Sequence, residues 1–119
     1  SRFAAVCSDR LVRVWDVASG RLLRVYDESP ARVTALQRSG PPLFQLDEID
    51  FGRRMAVEKE YFAALCPGGP AAPADPDVPP PAVLFDESGQ LLLYTSLLGV
   101  KVVSLASNRL VRVLGKVEN

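Results

Sequence analysis

Histidine is absent from the 119 residues. With it go the commonest general base at neutral pH, every Ser-His or Cys-His nucleophile, and the usual histidine-containing zinc sites. Cysteine is scarce: Cys7 falls in an alternating strand pattern, Cys66 at the edge of a Pro-Gly loop, and neither has a second cysteine nearby. The two could pair in a secreted protein, but the expectation for Cys7 is a simple core role. An excess of either charge is missing too, with 14 Lys+Arg against 14 Asp+Glu. No overall field therefore steers the chain to nucleic acid, an anionic membrane or a basic partner. No apolar run approaches the roughly 20 residues that span a bilayer, and Ser1-Arg2-Phe3 leads into a strand pattern, not a signal peptide. Gly-rich phosphate loops are also lacking. What remains is the composition of a soluble domain with one core, 48% hydrophobic and 24% charged, with no cofactor and no small-molecule ligand expected. The first residue is not Met, and Gly115-Lys116-Val117-Glu118-Asn119 carries no terminal signature. The expectation is a piece of a longer chain whose other parts hold any activity.

What the chain does have is a repeat. Ser8 through Tyr26 aligns without gaps on Ser96 through Leu114, a shift of 88 positions (96 less 8). Arg13 meets Lys101, Val14 meets Val102, and Arg21-Leu22 meets Arg109-Leu110. A fixed-offset match means one supersecondary unit used more than once. Each copy reads as two strands and a tight turn: Val12 and Val14 alternate with Arg13 and Trp15, then Leu23 and Val25 alternate with Arg24. Between them lies Ala18-Ser19-Gly20. Gly20 aligns with Asn108, the two residue types that accept positive φ at least cost, so one backbone shape is expected in both turns. Ahead of the second copy, Ala82-Val83-Leu84-Phe85 and Leu91-Leu92-Leu93-Tyr94-Thr95 read as strands around the turn Asp86-Glu87-Ser88-Gly89. That makes four strands. The first copy is preceded only by Phe3-Ala4-Ala5-Val6-Cys7, so its own first strand is expected to lie outside the chain.

The segment between the copies has a different texture. A helix is expected from Asp47 to Leu65, with Phe51, Met55, Phe62 and Leu65 on one face, interrupted by Glu58. Asp47, Glu48 and Asp50 suit its positive end, Asp50 and Arg54 form a favourable i,i+4 pair, and Pro67-Gly68-Gly69 ends it. Phe51, Met55 and Phe62 are expected to be core more than interface. Pro67 to Pro81 is rich in Pro, Ala and Gly and reads as an exposed, disordered loop. Its PxxP spacings, such as Pro67 with Pro70, could mimic a polyproline-II ligand, although no Arg or Lys in the tract would orient a docked peptide. The alternative is a degenerate middle repeat, since 88 is two periods of about 44.

Trp15-Asp16 closing an alternating strand is the WD dipeptide, and Asp9 stands in the preceding tight turn, where its carboxylate can accept turn amides. That role is architectural. A general acid or base at Asp9 or Asp16 would need a His, a Lys or a second carboxylate placed to complete the pair. The fuller His-Asp-Ser-Trp tetrad cannot form without histidine, and the second copy has Val103-Ser104 where the first has Trp-Asp. Arg53-Arg54 on the helix, and Arg10, Arg13, Arg21 and Arg24 on the first copy, could touch a phosphate or a partner carboxylate. Solvated strand faces and intrachain pairs account for them equally. The expected fold is all-β, a partial WD-repeat β-propeller of about two blades with an inserted helix and a disordered proline-rich loop. The blades cover 1–27 and 82–115, the helical insertion 28–66 and the loop 67–81. Two blades cannot close a propeller, so unpaired strand edges are expected at both ends.

The most specific stretch runs from Asp47 to Glu60, Asp-Glu-Ile-Asp-Phe-Gly-Arg-Arg-Met-Ala-Val-Glu-Lys-Glu. Together with Ser8-Asp9-Arg10, Val25-Tyr26-Asp27-Glu28-Ser29, Val83 to Gly89 and Arg112 to Asn119, it resembles a family of nuclear, spliceosome-associated cyclophilins that carry WD repeats. Motif order matches as well, and only the Pro67 to Pro81 tract looks like an insertion. The resemblance implies an N-terminal propeller followed by a cyclophilin domain that isomerises X-Pro bonds, nuclear localisation and spliceosomal protein partners, with direct RNA contact left open. A cyclophilin site needs an Arg, Phe, Gln, Trp and His constellation. This chain has no His and its single Trp is in the WD position, so no catalytic residue carries over. The alternative is a WD-repeat adaptor unrelated to any isomerase.

Overall fold

Val, Leu, Tyr and Trp at alternate positions, punctuated by Asp, Ser, Gly and Asn, give seven strands in the computed structural model, which describes residues 1–65 and 77–115. Cys66, the Pro67/Pro70 spacing and the family stretch beyond Gly115 lie outside the described residues, as does most of the proline-rich tract. The chain divides into two units, Ser1–Ser29 with Pro81–Asn119, and Pro30–Pro80.

In the first unit, β1 (Arg2–Val6), β2 (Leu11–Asp16) and β3 (Leu22–Asp27) form an antiparallel sheet in chain order. A second sheet holds β4 (Val83–Phe85), β5 (Leu91–Ser96), β6 (Gly99–Ser104) and β7 (Arg109–Leu114), also antiparallel and in order. The repeat is visible in the backbone. A bulge falls between Val14 and Trp15 in β2, and another between Val102 and Val103 in β6, at the shifted positions. The hairpin turns match too: Gly20 sits at φ 71° and Asn108 at φ 54°. In the first turn the Gly20 N–H donates to the Asp16 carbonyl at 2.8 Å and Asp16 N–H to the Arg21 carbonyl at 2.9 Å.

The two sheets meet face to face. Val12 and Val14 from β2 pack with Leu92 and Tyr94 of β5, Val103 of β6 and Leu105, and Ala4, Val6, Tyr26, Val83, Phe85 and Leu110 close the rim. Hydrophobic burial, at about 25 cal/mol per Å² of apolar surface, drives this stacking. The alternation in β3 locates that strand but not its inward side. Leu23 and Val25 point outward and are exposed, whereas Arg24 and Tyr26, opposite Val14 and Val12, face the core. Cys7 is displaced from the expected strand: β1 stops at Val6, and Cys7 is a half-buried turn residue whose carbonyl accepts the Arg10 N–H at 2.9 Å.

In the second unit, α1 (Pro30–Ser39) precedes a 3-10 turn at Pro42–Phe44 and α2 (Glu48–Leu65). Sequence periodicity misses α1, although its punctuation is present: Pro30 at the first helical position and Gly40 after the last. Gly40 N–H closes the helix onto the Leu36 carbonyl at 2.9 Å. Gln37 clamps the following segment in both directions, donating to the Leu46 carbonyl at 2.7 Å and accepting the Leu46 N–H at 2.8 Å. Asp47 caps α2, its carboxylate accepting the Ile49 N–H at 3.2 Å and its carbonyl the Phe51 N–H at 2.8 Å. The expected apolar face is only half-buried: Phe51, Met55, Phe62 and Leu65 share it with Glu58, and no residue of α2 is fully buried. Toward the helix end, the Tyr61 hydroxyl donates to the Pro79 carbonyl at 2.5 Å. Among the described residues no strand lies between β3 and β4, which leaves a degenerate middle repeat without a ladder there.

Candidate functional site

Asp9 lies in the β1–β2 turn, where its Oδ1 accepts the Leu11 N–H at 3.0 Å. Arg13, two residues into β2, grips both oxygens, Nη1 to Oδ1 at 3.2 Å and Nη2 to Oδ2 at 2.7 Å. The fork geometry matches guanidinium to carboxylate. The Arg13 hydrogen bonds, reinforced by the Leu11 amide, hold the Asp9 carboxyl below its ordinary value, and the same pair raises Arg13.

Asp16 closes the other end of β2, about 20 Å away along a six-residue strand. Its Oδ2 accepts the Ser19 hydroxyl at 2.7 Å and the Ser19 N–H at 3.3 Å, and the hydroxyl is the larger cause of its lowered pKa. Beside it in β2, Trp15 stands opposite Phe3 of β1 with ring centroids 5.6 Å apart. The structure therefore separates the two carboxylates and ties each to its own turn. Asp86 does the same for the β4–β5 turn, accepting the Leu91 N–H at 3.0 Å, the Gln90 N–H at 3.1 Å and the Ser88 hydroxyl at 2.8 Å. Sequence reading assigned Asp86 only to a turn; the Asp-x-Ser-Gly pattern was the available signal for its carboxylate role.

All three carboxylates titrate lower in the folded chain than the ordinary 3.8. A depressed folded pKa stabilises the fold above the unfolded value, and that stabilisation is lost as pH falls through the folded value. The melting temperature is expected to hold from about pH 6 to about pH 4 and to fall below that. Asp9→Asn should be less stable than the parent near neutrality and show a shallower acid decline; an unchanged acid profile would contradict the assignment.

Between the sheets lies a polar cluster that sequence reading missed. Lys101 in β6 is 6% exposed and Glu28, just past β3, is 8% exposed. The Lys101 ammonium donates to Glu28 Oε2 at 2.7 Å and Oε1 at 2.9 Å. The Tyr94 hydroxyl, from β5 directly opposite Lys101, donates to Oε2 at 2.7 Å. Burial, then the Glu28 charge, pushes the Tyr94 phenol far above its ordinary value, so it stays a donor. The available signal was Lys101 itself, a lone cation between Val100 and Val102-Val103.

Of the helix arginines, Arg54 is half-buried and donates from Nε to Asp50 Oδ1 at 3.1 Å, the expected i,i+4 pair, while Arg53 is exposed. Arg24 lends Nη1 to the Leu23 carbonyl at 2.9 Å, and its buried Nε has no hydrogen-bond partner. Among the described residues, no group of three or more His, Cys, Asp or Glu is placed to hold a metal ion.

No protein-family profile matches the chain. Curated proteins do. The chain is 44% identical over 118 residues to Peptidyl-prolyl cis-trans isomerase CYP71 of Arabidopsis thaliana, covering 99% of this chain and 17% of that protein. It is 40% identical over 118 residues to Peptidylprolyl isomerase domain and WD repeat-containing protein 1 of Homo sapiens, covering 99% of this chain and 16% of that protein. Peptidyl-prolyl cis-trans isomerase cyp15 of Rhizopus delemar matches at 40% over 93% of this chain and 16% of that protein. These relatives are peptidyl-prolyl isomerases by name, and the chain spans about a sixth of their length. In particular, it is a homologue of the N-terminal part of the peptidylprolyl isomerase domain and WD repeat-containing proteins.

Proposed function

We propose that the chain is a pair of adjacent WD-type blades acting as a non-catalytic scaffold segment of a cyclophilin-type peptidyl-prolyl isomerase. The observation that carries the reading is the repeat: two sheets with a bulge and a positive-φ turn residue at equivalent positions, stacked face to face. Homology to the N-terminal part of isomerases that carry WD repeats supports it. In this reading Asp9, Trp15 and Asp16 are structural WD-motif residues. Asp9 and Asp16 serve their turns through the hydrogen bonds above, which leaves neither set up as an acid or base for proline isomerisation. The chain contributes no catalytic group, needs no cofactor or small molecule, and works off the membrane.

Its partners are spliceosomal proteins in the nucleus. Arg53, exposed on α2, and its neighbour Arg54 are the proposed contacts. The purified chain is expected to leave the cis/trans exchange rate of a proline peptide at background, and to recover spliceosomal components from a nuclear extract. Arg53→Glu should reduce that recovery without lowering the melting temperature. Isomerase activity in the chain, or equal recovery by the variant, would overturn the respective assignments.

A further inference from the structure

We infer that the buried Glu28–Lys101–Tyr94 cluster is a key that selects which faces of the two repeated sheets meet. Both sheets are apolar on both sides. The first offers Val12 and Val14 on one face and Phe3, Trp15 and Val25 on the other; the second offers Leu92 and Val103 on one face and Leu93, Val100 and Val102 on the other. The repeat carries Val12 and Val14 onto Val100 and Val102, and Trp15 onto Val103. The face of the first sheet used in the contact is thus equivalent to the face of the second sheet turned away from it, a head-to-tail arrangement. The reverse arrangement would set the Trp15 face against the Val100–Val102 face, apolar against apolar. Hydrophobic burial is non-directional and does not choose between these.

Charge does choose. In the observed pairing Lys101 meets both oxygens of Glu28, and the Tyr94 hydroxyl donates to Oε2 as well. In the reverse pairing the repeat puts Arg13 in the place of Lys101, and Arg13 is already held by Asp9 of its own sheet. The observed contact joins its charges across the two sheets; the reverse one would bury a pair that belongs to one sheet and gain no cross-sheet bond. A buried ion pair of this kind adds little stability over apolar residues of like size, while losing one member strands the other. The cluster's contribution is uniqueness. This selection concerns the two sheets alone.

Three variants of the 119-residue chain test it by amide NMR and by the contact between the Tyr26 and Tyr94 rings, whose centroids are 6.0 Å apart. Lys101→Met alone leaves the Glu28 carboxylate buried without its cation and should lower the melting temperature by more than about 10 °C. Glu28→Leu with Lys101→Met should recover most of that loss yet give several sets of signals and a weakened ring contact. Glu28→Lys with Lys101→Glu should keep a single set. A single set of signals with the ring contact intact in the apolar double variant overturns the inference. So does a charge-reversed protein with several sets, and that variant decides the matter should the apolar one fail to fold.

Discussion

Leu92→Ala is expected to lower the unfolding free energy by about 3–4 kcal/mol. Leu92 is fully buried in β5, its backbone paired on one side to Phe85 and on the other to Val103, and its side chain packed in the cluster that includes Val12 and Val14 of the opposite sheet. Truncation removes apolar contacts at the junction of two hydrogen-bonded ladders, neither of which can slump into the space. The loss therefore includes most of the cavity cost as well as the transfer cost. Leu84 is the control, one residue before Phe85 on the opposite face of β4 and 53% exposed. Leu84→Ala should change stability by no more than about 0.5 kcal/mol. Urea unfolding measures both, and a loss below about 1 kcal/mol at Leu92 would mean that the two faces do not pack there.

Gly99→Ala should cost about 3 kcal/mol or more, for a different physical reason. Gly99 opens β6 at φ 138°, and a Cβ built there would lie 2.2 Å from the Leu114 carbonyl oxygen. That oxygen belongs to the backbone of β7, the strand paired with β6 through Val100 and Leu114. No side-chain rotation can relieve the contact; the end of the ladder has to open. Gly20 makes the comparison, since its φ is 71° with nothing within 4 Å of a built Cβ. Gly20→Ala should cost only the left-handed preference, about 1–2 kcal/mol. Equal losses at the two positions would contradict the tight β6–β7 start.

The two hairpins were legible because turns make residue-specific demands. Gly20 against Asn108 in the alignment already named the backbone that both now show. The Asp50–Arg54 pair and the Asp47 start of α2 followed from spacing and helix electrostatics, and both are present. Face assignment was harder. An alternating strand in a two-sided sheet has no polar side to betray its direction, and in β3 the inward positions are Arg24 and Tyr26. Helix α1 escaped because its apolar residues are few, with Val33 alone buried; the marks were Ser29-Pro30 and Gly40-Pro41, which also read as loop. The Glu28–Lys101 contact joins residues 73 apart in sequence, and local pattern holds no information about such a pair. Repeat logic came nearest, since it aligned Lys101 with Arg13, yet the two cations take different partners, Glu28 and Asp9.

The two repeat-related sheets stack head-to-tail through the Val12–Val14 face of one and the Leu92–Val103 face of the other. Methyl-to-methyl NOE measurement tests it most directly. Cross-peaks are expected from Val12 and Val14 to Leu92 and Val103, and none from those two valines to Val100 or Leu93. Cross-peaks to Val100 or Leu93 in place of Leu92 and Val103 would contradict it.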